Sequence, residues 1–123
     1  MSDRNVTPQL QIRVQRVEAG PIIFLTGELD LDTVGALASA LDDLDGRLLV
    51  DLDGVSFLDS SGIRTLVSAR KRLLGSGGDL RLRAPRAHVR RVLEITGLDG
   101  ILVGVQPESP ETRDRRFPPR NPE

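Results

Sequence analysis

Residues 50–73, VDLDGVSFLDSSGIRTLVSARKRL, join two patterns that belong to different kinds of secondary structure. Residues 48–52, LLVDL, overlap the start of this segment and predict a short strand buried on both faces. After the polar tetrapeptide DSSG at 59–62, apolar residues recur at helical spacing. Three apolar residues between strand and helix are predicted to be buried and to hold the connecting loop: Val55, Phe57 and Leu58.

The residues before this segment predict a β-hairpin. Leu10, Ile12 and Val14 alternate with polar residues, which is the pattern of an edge strand with one face in water. Turn residues at 18–21 separate them from the continuous apolar run at 22–25. That run predicts a second strand, covered on both faces.

Three segments have the periodicity of amphipathic helices. Asp30 or Asp32 is placed to cap the first turn of the first helix, and Gly46 ends this helix. The third helix begins at Pro85. Glycines also end the second helix, at 75–78, and the third, at 97. The predicted core-facing residues are Val34, Leu37, Leu41 and Leu44 in the first helix, Ile63, Leu66, Val67, Leu73 and Leu74 in the second, and Val89, Val92 and Leu93 in the third.

The alternation of strands and helices predicts the fold class. Two further short strands are predicted at residues 80–82 and at ILVGV, 101–105. Right-handed crossovers between such elements give a mostly parallel sheet. We therefore predict an α/β fold with a mixed, mostly parallel sheet of about five strands, including the N-terminal hairpin, flanked by three or four helices. The domain is predicted to span residues 9–105, between a flexible N-terminus at 1–8 and a disordered tail at 106–123 that lacks any apolar period.

The composition excludes several classes of function. With 17 basic and 18 acidic residues the net charge is -1, which favours neither direct nucleic-acid binding nor an anionic membrane. The absence of cysteine excludes thiol catalysis, and three phenylalanines are the only aromatic residues. Because the sequence has no signal-peptide pattern and no long apolar run, we expect a cytoplasmic protein without membrane insertion.

The hydroxyls at the junction have two interpretations. Asp59 or Ser60 can cap the following helix by accepting hydrogen bonds from the amides of Gly62 and Ile63, worth about 1 kcal/mol. Alternatively, a serine here is chemically active, because loops beyond the carboxyl ends of parallel strands form the functional crevice. A nucleophilic serine needs a base, but the only histidine, His88, lies in the arginine-rich third helix. We therefore predict no enzyme and assign no catalytic residue.

Acidic residues near several strand ends raise the alternative of a metal or aspartyl-phosphate site. A receiver-type site needs a lysine after the last strand, whereas Gln106 and Pro107 follow it here. Residues 51–54, DLDG, lack the third oxygen ligand and the later glutamate of a calcium loop. Turn and cap roles explain these residues better, so no metal or other cofactor is predicted. The residues concerned are Glu28, Asp30, Asp32, Asp51, Asp53 and Asp59.

Taken together, three motifs resemble those of STAS domains, specifically of bacterial anti-sigma factor antagonists. They occur in the family's order and spacing and are GELD at 27–30, the segment from 50 through DSSG at 59–62, and LEITGL at 93–98. The resemblance covers about residues 10–105 and implies the STAS fold.

The resemblance also implies a function. In this family the first hydroxyl residue after the aspartate is phosphorylated, which maps to Ser60, and Ser61 is then a helix-start residue. The phosphorylating enzyme is the anti-sigma factor itself, a serine kinase, and a phosphatase removes the phosphate from Ser60. The unphosphorylated protein binds that kinase and frees the sigma factor. The implied partner-binding residues are Asp30, Asp59, Ser60, Ser61, Gly62 and Arg64.

We expect the start of the helix to receive the phosphate, since orphan amides and the positive end of the helix dipole lie there. Arg64 replaces a residue that is commonly small in the family and is expected to tune partner choice. The tail from Pro107 also lacks the apolar stripe of the final helix that many members have.

Two other hypotheses remain. The first is a STAS interaction subunit that is never phosphorylated, in a lipid transporter or a stress-sensing complex. The second is a small hydrolase that uses Ser60 or the carboxylates, which the absence of a base disfavours.

Overall fold

The computed structural model describes residues 9–103, which form a five-stranded sheet with three α-helices. The N-terminus predicted at 1–8 and the tail predicted at 106–123 lie outside the described residues, as does the end of the strand predicted at 101–105. Between residues 9 and 103, no helix is long and apolar enough to cross a membrane. The elements are β1 (Leu10–Val17), β2 (Gly20–Leu29), α1 (Val34–Asp42), β3 (Arg47–Leu58), α2 (Ser60–Gly75), β4 (Asp79–Arg83), α3 (Ala87–Ile95), a 3₁₀ turn (Asp99–Ile101) and β5 (Leu102–Val103).

The strands lie in the sheet in the order β1-β2-β3-β4-β5. β1 and β2 form the predicted antiparallel hairpin, and all other neighbours are parallel. Parallel neighbours need crossover connections, which α1, α2 and α3 provide. The predicted fold class is therefore confirmed.

Only one face of the sheet is fully buried, so the prediction that residues 22–25 and 48–52 are covered on both faces was wrong. On the buried face Ile23, Val50 and Leu82 are neighbours in register, and each has 0% exposure. They join the buried leucines and valines of the three helices in one core.

Polar and aromatic side chains occupy the opposite face, where Phe24, Asp51 and Arg83 are neighbours in register. The Arg83 Nε donates a 2.7 Å hydrogen bond to Asp51 Oδ2. The guanidinium of Arg13 lies 4.2 Å from the centroid of the Phe24 ring. Because arginine can cover an aromatic ring and keep its charge in water, an apolar run in this sheet does not require burial on both faces.

β3 extends over 12 residues and includes the segment that was predicted to be a loop. Its pairing with β2 contains two register shifts, which interrupt the alternation on which the strand prediction depended. At the second shift Val55 and Phe57 have partners in β2, whereas Ser56 between them has none. Val55 and Leu58 are buried as predicted, but Phe57 is 45% exposed, so its predicted burial was wrong.

α1 ends at Asp42, earlier than the predicted end at Gly46. Leu44 lies beyond the helix but is buried all the same. The Arg72 side chain of α2 donates hydrogen bonds to the carbonyls of Leu41, at 2.8 Å, and Leu44, at 3.0 Å. Arg72 is thus an additional donor to the Leu41 carbonyl, which also accepts from the Leu44 amide at 3.0 Å, and a donor to the Leu44 carbonyl beyond the helix end.

α2 and α3 end near the predicted glycines, where Gly77 and Gly97 adopt positive φ angles of 92° and 80°. α3 begins at Ala87, two residues after Pro85. Leu74 was predicted to face the core but is 47% exposed, because its neighbour Leu73 takes the core-facing position.

The start of α2 packs directly on the ends of β2 and β3 through Gly62. A Cβ atom at this position would lie 2.7 Å from Leu58 Cδ1 and 3.0 Å from Leu29 Cβ. A glycine inside a helix costs about 1 kcal/mol relative to alanine. The close approach of the helix to the strand ends explains why glycine stands here.

Replacing Gly62 with alanine is expected to destabilise the protein by about 1–3 kcal/mol, because overpacking outweighs the better helix propensity of alanine. Gly75, in the same helix, provides the matched control, since nothing lies within 4 Å of a Cβ placed there. Gly75→Ala is expected to leave the free energy of unfolding unchanged or to raise it by up to about 1 kcal/mol. Urea unfolding measures both, and wild-type stability in Gly62→Ala would contradict the close packing.

Candidate functional site

Asp59 caps α2 and fixes the junction between β3 and α2. Its Oδ1 accepts hydrogen bonds from the amides of Ser61, at 2.9 Å, and Gly62, at 3.3 Å. Its own amide donates to the carbonyl of Leu29 at 3.1 Å, which ties the junction to the end of β2. The predicted cap is therefore present, but Ile63 does not take part in it, because the Ile63 amide donates to the Asp59 carbonyl at 3.0 Å.

The two adjacent serines occupy different environments. The Ser61 hydroxyl donates a 2.6 Å hydrogen bond to Asp59 Oδ1, and Ser61 is only 9% exposed. Ser60, the first residue of α2, is exposed. Among residues 9–103 we find no hydrogen bond to the Ser60 hydroxyl. Ser60 is therefore the serine whose hydroxyl a partner can reach at this junction.

The Asp59 carboxylate carries its charge well into the acid range. The hydrogen bond from the Ser61 hydroxyl is the largest cause that holds the pKa of Asp59 below the ordinary value of 3.8. The amides of Gly62 and Ser61 and the positive charge of Arg64 lower the pKa further, against partial desolvation. A negative charge therefore lies next to Ser60 at neutral pH.

The same hydrogen bonds change the expectation for a phosphate at this helix start. The amides of Ser61 and Gly62 are bound to the Asp59 side chain, and the Ile63 amide to the Asp59 carbonyl. These three amides are therefore occupied in the unmodified domain, and a phosphate would have to compete with Asp59 for them.

Asp30 lies beside the junction, because the residues preceding Asp30 and Asp59 are paired neighbours at the ends of β2 and β3. Asp30 Oδ1 accepts hydrogen bonds from the amides of Asp32, at 3.0 Å, and Thr33, at 3.2 Å. Thr33 is the N-cap residue of α1, so the prediction that Asp30 or Asp32 caps this helix was wrong. Asp30 instead closes the turn before the helix, and this turn leaves Leu31 77% exposed.

Two exposed apolar side chains, Leu31 and Phe57, lie near the carboxyl ends of β2 and β3. Neither was predicted from the sequence to be a functional surface residue. Leu31 stands between two aspartates and before the start of α1, although its spacing from Val34 continues the apolar period of the helix. Phe57 has no signal of exposure in the sequence, because its exposure follows from the register shift in β3.

A groove of about 560 Å³ lies between α1 and α2. Leu31, Ser61 and Arg64 line the part near the junction, and Asp42 and Arg72 line the part near the end of α1. The groove therefore continues the surface that begins beside Ser60, and Arg64 belongs to both.

The remaining carboxylates do not converge on one point. Asp51 is bound to Arg83 on the open face of the sheet. Over residues 9–103, no group of three or more histidine, aspartate or glutamate side chains is placed to hold a metal ion. His88 is exposed, and its Nε2 lies 2.6 Å from the carbonyl oxygen of Ser56.

The family model described as "Mlab, STAS domain" matches residues 12–104. The chain belongs to the STAS domain family. This match confirms the resemblance carried by the three sequence motifs. A comparison with curated protein sequences finds no match.

Solved STAS structures are similar to this domain over most of their length. An anti-sigma factor antagonist from Mycobacterium paratuberculosis is 27% identical, with a TM-score of 0.69 over 79% of this chain and 86% of that one. An anti-sigma-factor antagonist (STAS) domain protein from Planctomyces limnophilus is 26% identical, with a TM-score of 0.62 over 74% of this chain and 85% of that one. The phosphorylated form of the Bacillus cell fate determinant SpoIIAA shares the fold at 22% identity, with a TM-score of 0.61 over 75% of this chain and 88% of that one.

Ser61→Ala is expected to raise the pKa of Asp59 toward its ordinary value, because the hydroxyl that contributes most to the lowering is lost. Ser60→Ala is the matched control and is expected to leave that pKa unchanged. An NMR titration that follows the Asp59 carboxyl carbon measures both values. An unchanged pKa in Ser61→Ala would contradict the hydrogen bond.

The same pair of variants has a consequence for stability in acid. Because the folded pKa of Asp59 is lowered, its stabilising contribution is complete above pH 3.8 and is lost as the pH falls through the folded value. Ser61→Ala, which already lacks part of this contribution, is expected to lose less stability on acidification than Ser60→Ala does.

Proposed function

We propose that this STAS domain is an anti-sigma factor antagonist controlled by phosphorylation of Ser60. Unmodified, it binds an anti-sigma factor of the serine-kinase type and frees the sigma factor; phosphorylated, it dissociates. The observation that carries the proposal is the contrast between the exposed Ser60 hydroxyl and the Ser61 hydroxyl held by Asp59. The similarity to the antagonist from Mycobacterium paratuberculosis supports it.

In this proposal the chain is substrate and ligand, and the partner is the catalyst. The kinase transfers the γ-phosphoryl group of ATP to the Ser60 oxygen, and ADP and the hydroxyl proton leave. A phosphatase hydrolyses the phosphate ester and restores the serine. Both candidate partners and the chain would meet in the cytoplasm.

The size of the electrostatic change fits a switch. Phosphorylation adds a charge of about -1.5 to -2 beside the ionised Asp59. A charge that must be desolvated in a contact without a matching partner costs several kcal/mol. Shifting an equilibrium from 99:1 to 1:99 takes about 5.5 kcal/mol, so one phosphate is of the required order.

The partner surface that we propose combines polar and apolar groups at one edge of the sheet. Leu31 and Phe57 are 77% and 45% exposed; Asp30 directly precedes Leu31, and Asp59 lies between Phe57 and Ser60 along the chain. Apolar side chains with a charged rim are typical of protein interfaces. A few well-packed residues near the centre of an interface carry most of its binding free energy.

Incubation with a candidate serine-kinase anti-sigma factor and ATP is expected to add one phosphate, located on Ser60 by mass spectrometry. Ser60→Ala is expected to remain unmodified, because its hydroxyl is absent. Ser68→Ala, which removes another exposed hydroxyl of α2, is the control and is expected to be modified like the wild type.

Binding assays complete this test. Ser60→Ala is expected to bind the kinase equally well with and without ATP, and Ser60→Asp to bind at least about tenfold more weakly if charge is the operative factor. A phosphate on Ser61 with Ser60 unmodified would overturn the assignment.

Leu31→Ala and Phe57→Ala are each expected to weaken binding to the kinase by about tenfold or more, as removal of a central apolar contact does. Leu74→Ala, which truncates an exposed leucine at the other end of α2, is expected to bind like the wild type. Isothermal titration calorimetry measures the three affinities. Equal affinities for Leu31→Ala, Phe57→Ala and Leu74→Ala would argue against this surface.

The second candidate function is an interaction subunit that is never phosphorylated, in a lipid transporter or a stress-sensing complex. The groove between α1 and α2 favours it, because its lining does not include Ser60. Co-purification separates the candidates: a kinase-type anti-sigma factor supports the switch, and a membrane ATPase supports the transporter subunit.

A further inference from the structure

A phosphate on Ser60 would enter a negative environment in which the amides of Ser61, Gly62 and Ile63 are already bound to Asp59. Asp59, immediately before it, is ionised and binds the amides of Ser61 and Gly62. Asp30 and Asp32 lie in the neighbouring turn after β2 and add further negative charge. Like charges at this spacing repel, so a cation nearby would stabilise the phosphorylated state.

Arg64 is the one charged side chain in residues 60–67, the first two turns of α2. It follows Ser60 by four residues, a spacing that places two side chains on the same helix face with Cβ atoms about 6 Å apart. Arg64 is exposed, and among residues 9–103 it forms no salt bridge, unlike Arg70 and Arg72 further along the helix. Its charge already acts on Asp59, whose pKa it helps to lower.

We propose that Arg64 is the internal counter-ion of phosphorylated Ser60. This inference rests on the proposed function. It describes how the surfaces of the unmodified and the phosphorylated domain differ. Before phosphorylation the guanidinium is available to the partner at the groove beside α1. After phosphorylation it binds the phosphate oxygens, a geometry for which the planar guanidinium is suited.

The switch would then change two groups with one modification. The unmodified patch of Asp59, Ser60 and Arg64 is neutral overall, and phosphorylation changes its charge to about -1.5 to -2. In addition, a donor that the partner used becomes occupied within the domain. Arg64 is thus a residue that determines specificity, and it acts by pairing and not by catalysis.

The test uses the domain with phosphoserine incorporated at position 60 during translation, so that no kinase is needed. ³¹P NMR follows the second ionisation of the phosphate, whose pKa is about 6. A nearby cation lowers that pKa, so Arg64→Gln is expected to raise it by at least about 0.3 pH units relative to the unsubstituted phosphoprotein. The difference is expected to shrink in about 1 M salt, where screening acts over a few ångströms.

Lys71→Gln is the matched control, because it removes one positive charge from the same helix at about 16 Å from Ser60 along the helix axis. Its phosphate is expected to titrate as in the unsubstituted phosphoprotein. Arg64→Lys, which keeps the positive charge but lacks the planar guanidinium, is expected to give a phosphate pKa between those of the unsubstituted phosphoprotein and Arg64→Gln. Urea unfolding of unmodified Arg64→Gln is expected to match the wild type, since Arg64 is exposed.

Identical titrations for Arg64→Gln and the unsubstituted phosphoprotein would overturn this inference, as would an equal shift in Lys71→Gln. If Arg64→Gln does not fold, the comparison of Arg64→Lys with the unsubstituted phosphoprotein decides the question. The two proposals fail separately. A kinase that leaves Ser60 unmodified refutes the proposed function and leaves the ion pair intact, whereas normal phosphorylation with an unshifted titration refutes the ion pair alone.

Discussion

One oxygen of the Asp59 side chain accepts hydrogen bonds from two amides and one hydroxyl at the start of α2. The backbone amide of Asp59 donates to the carbonyl of Leu29, the last residue of β2. Asp59 therefore links the start of α2, through its side chain, to the sheet, through its amide. This arrangement is responsible for the difference between the two serines. One hydroxyl is used to hold the aspartate, and the other faces solvent at the start of the helix.

Close packing keeps the arrangement in place. Gly62 lets the first turn of α2 lie against Leu29 and Leu58, so the position of Ser60 is set by the ends of two strands. A modification at Ser60 extends outward from this support and does not need a rearrangement of the core. Its effect is therefore on the charge and on the donors available at the surface, which is where Arg64, Leu31 and Phe57 lie.

The fold was predictable from local patterns because most elements have their own periodicity, and the cap in DSSG was predictable because aspartate and serine are preferred at helix starts. The exposure of Phe57 and the length of β3 were not predictable, since both depend on register shifts between two strands that are distant in sequence. The burial of Phe24 was misjudged because an arginine on a neighbouring strand covers its ring. Capping chemistry alone did not distinguish Ser60 from Ser61, and the hydrogen bond that does so requires the folded backbone.

Because the distinction between the serines exists only in the folded domain, an enzyme that selects Ser60 over Ser61 would have to recognise the formed helical turn. In an unfolded or newly synthesised chain the two residues are chemically equivalent neighbours in an extended segment. A kinase that requires the turn therefore ignores chains that have not yet folded. Under the proposed function, only folded molecules would then be modified, so phosphorylation would also depend on the chain having folded.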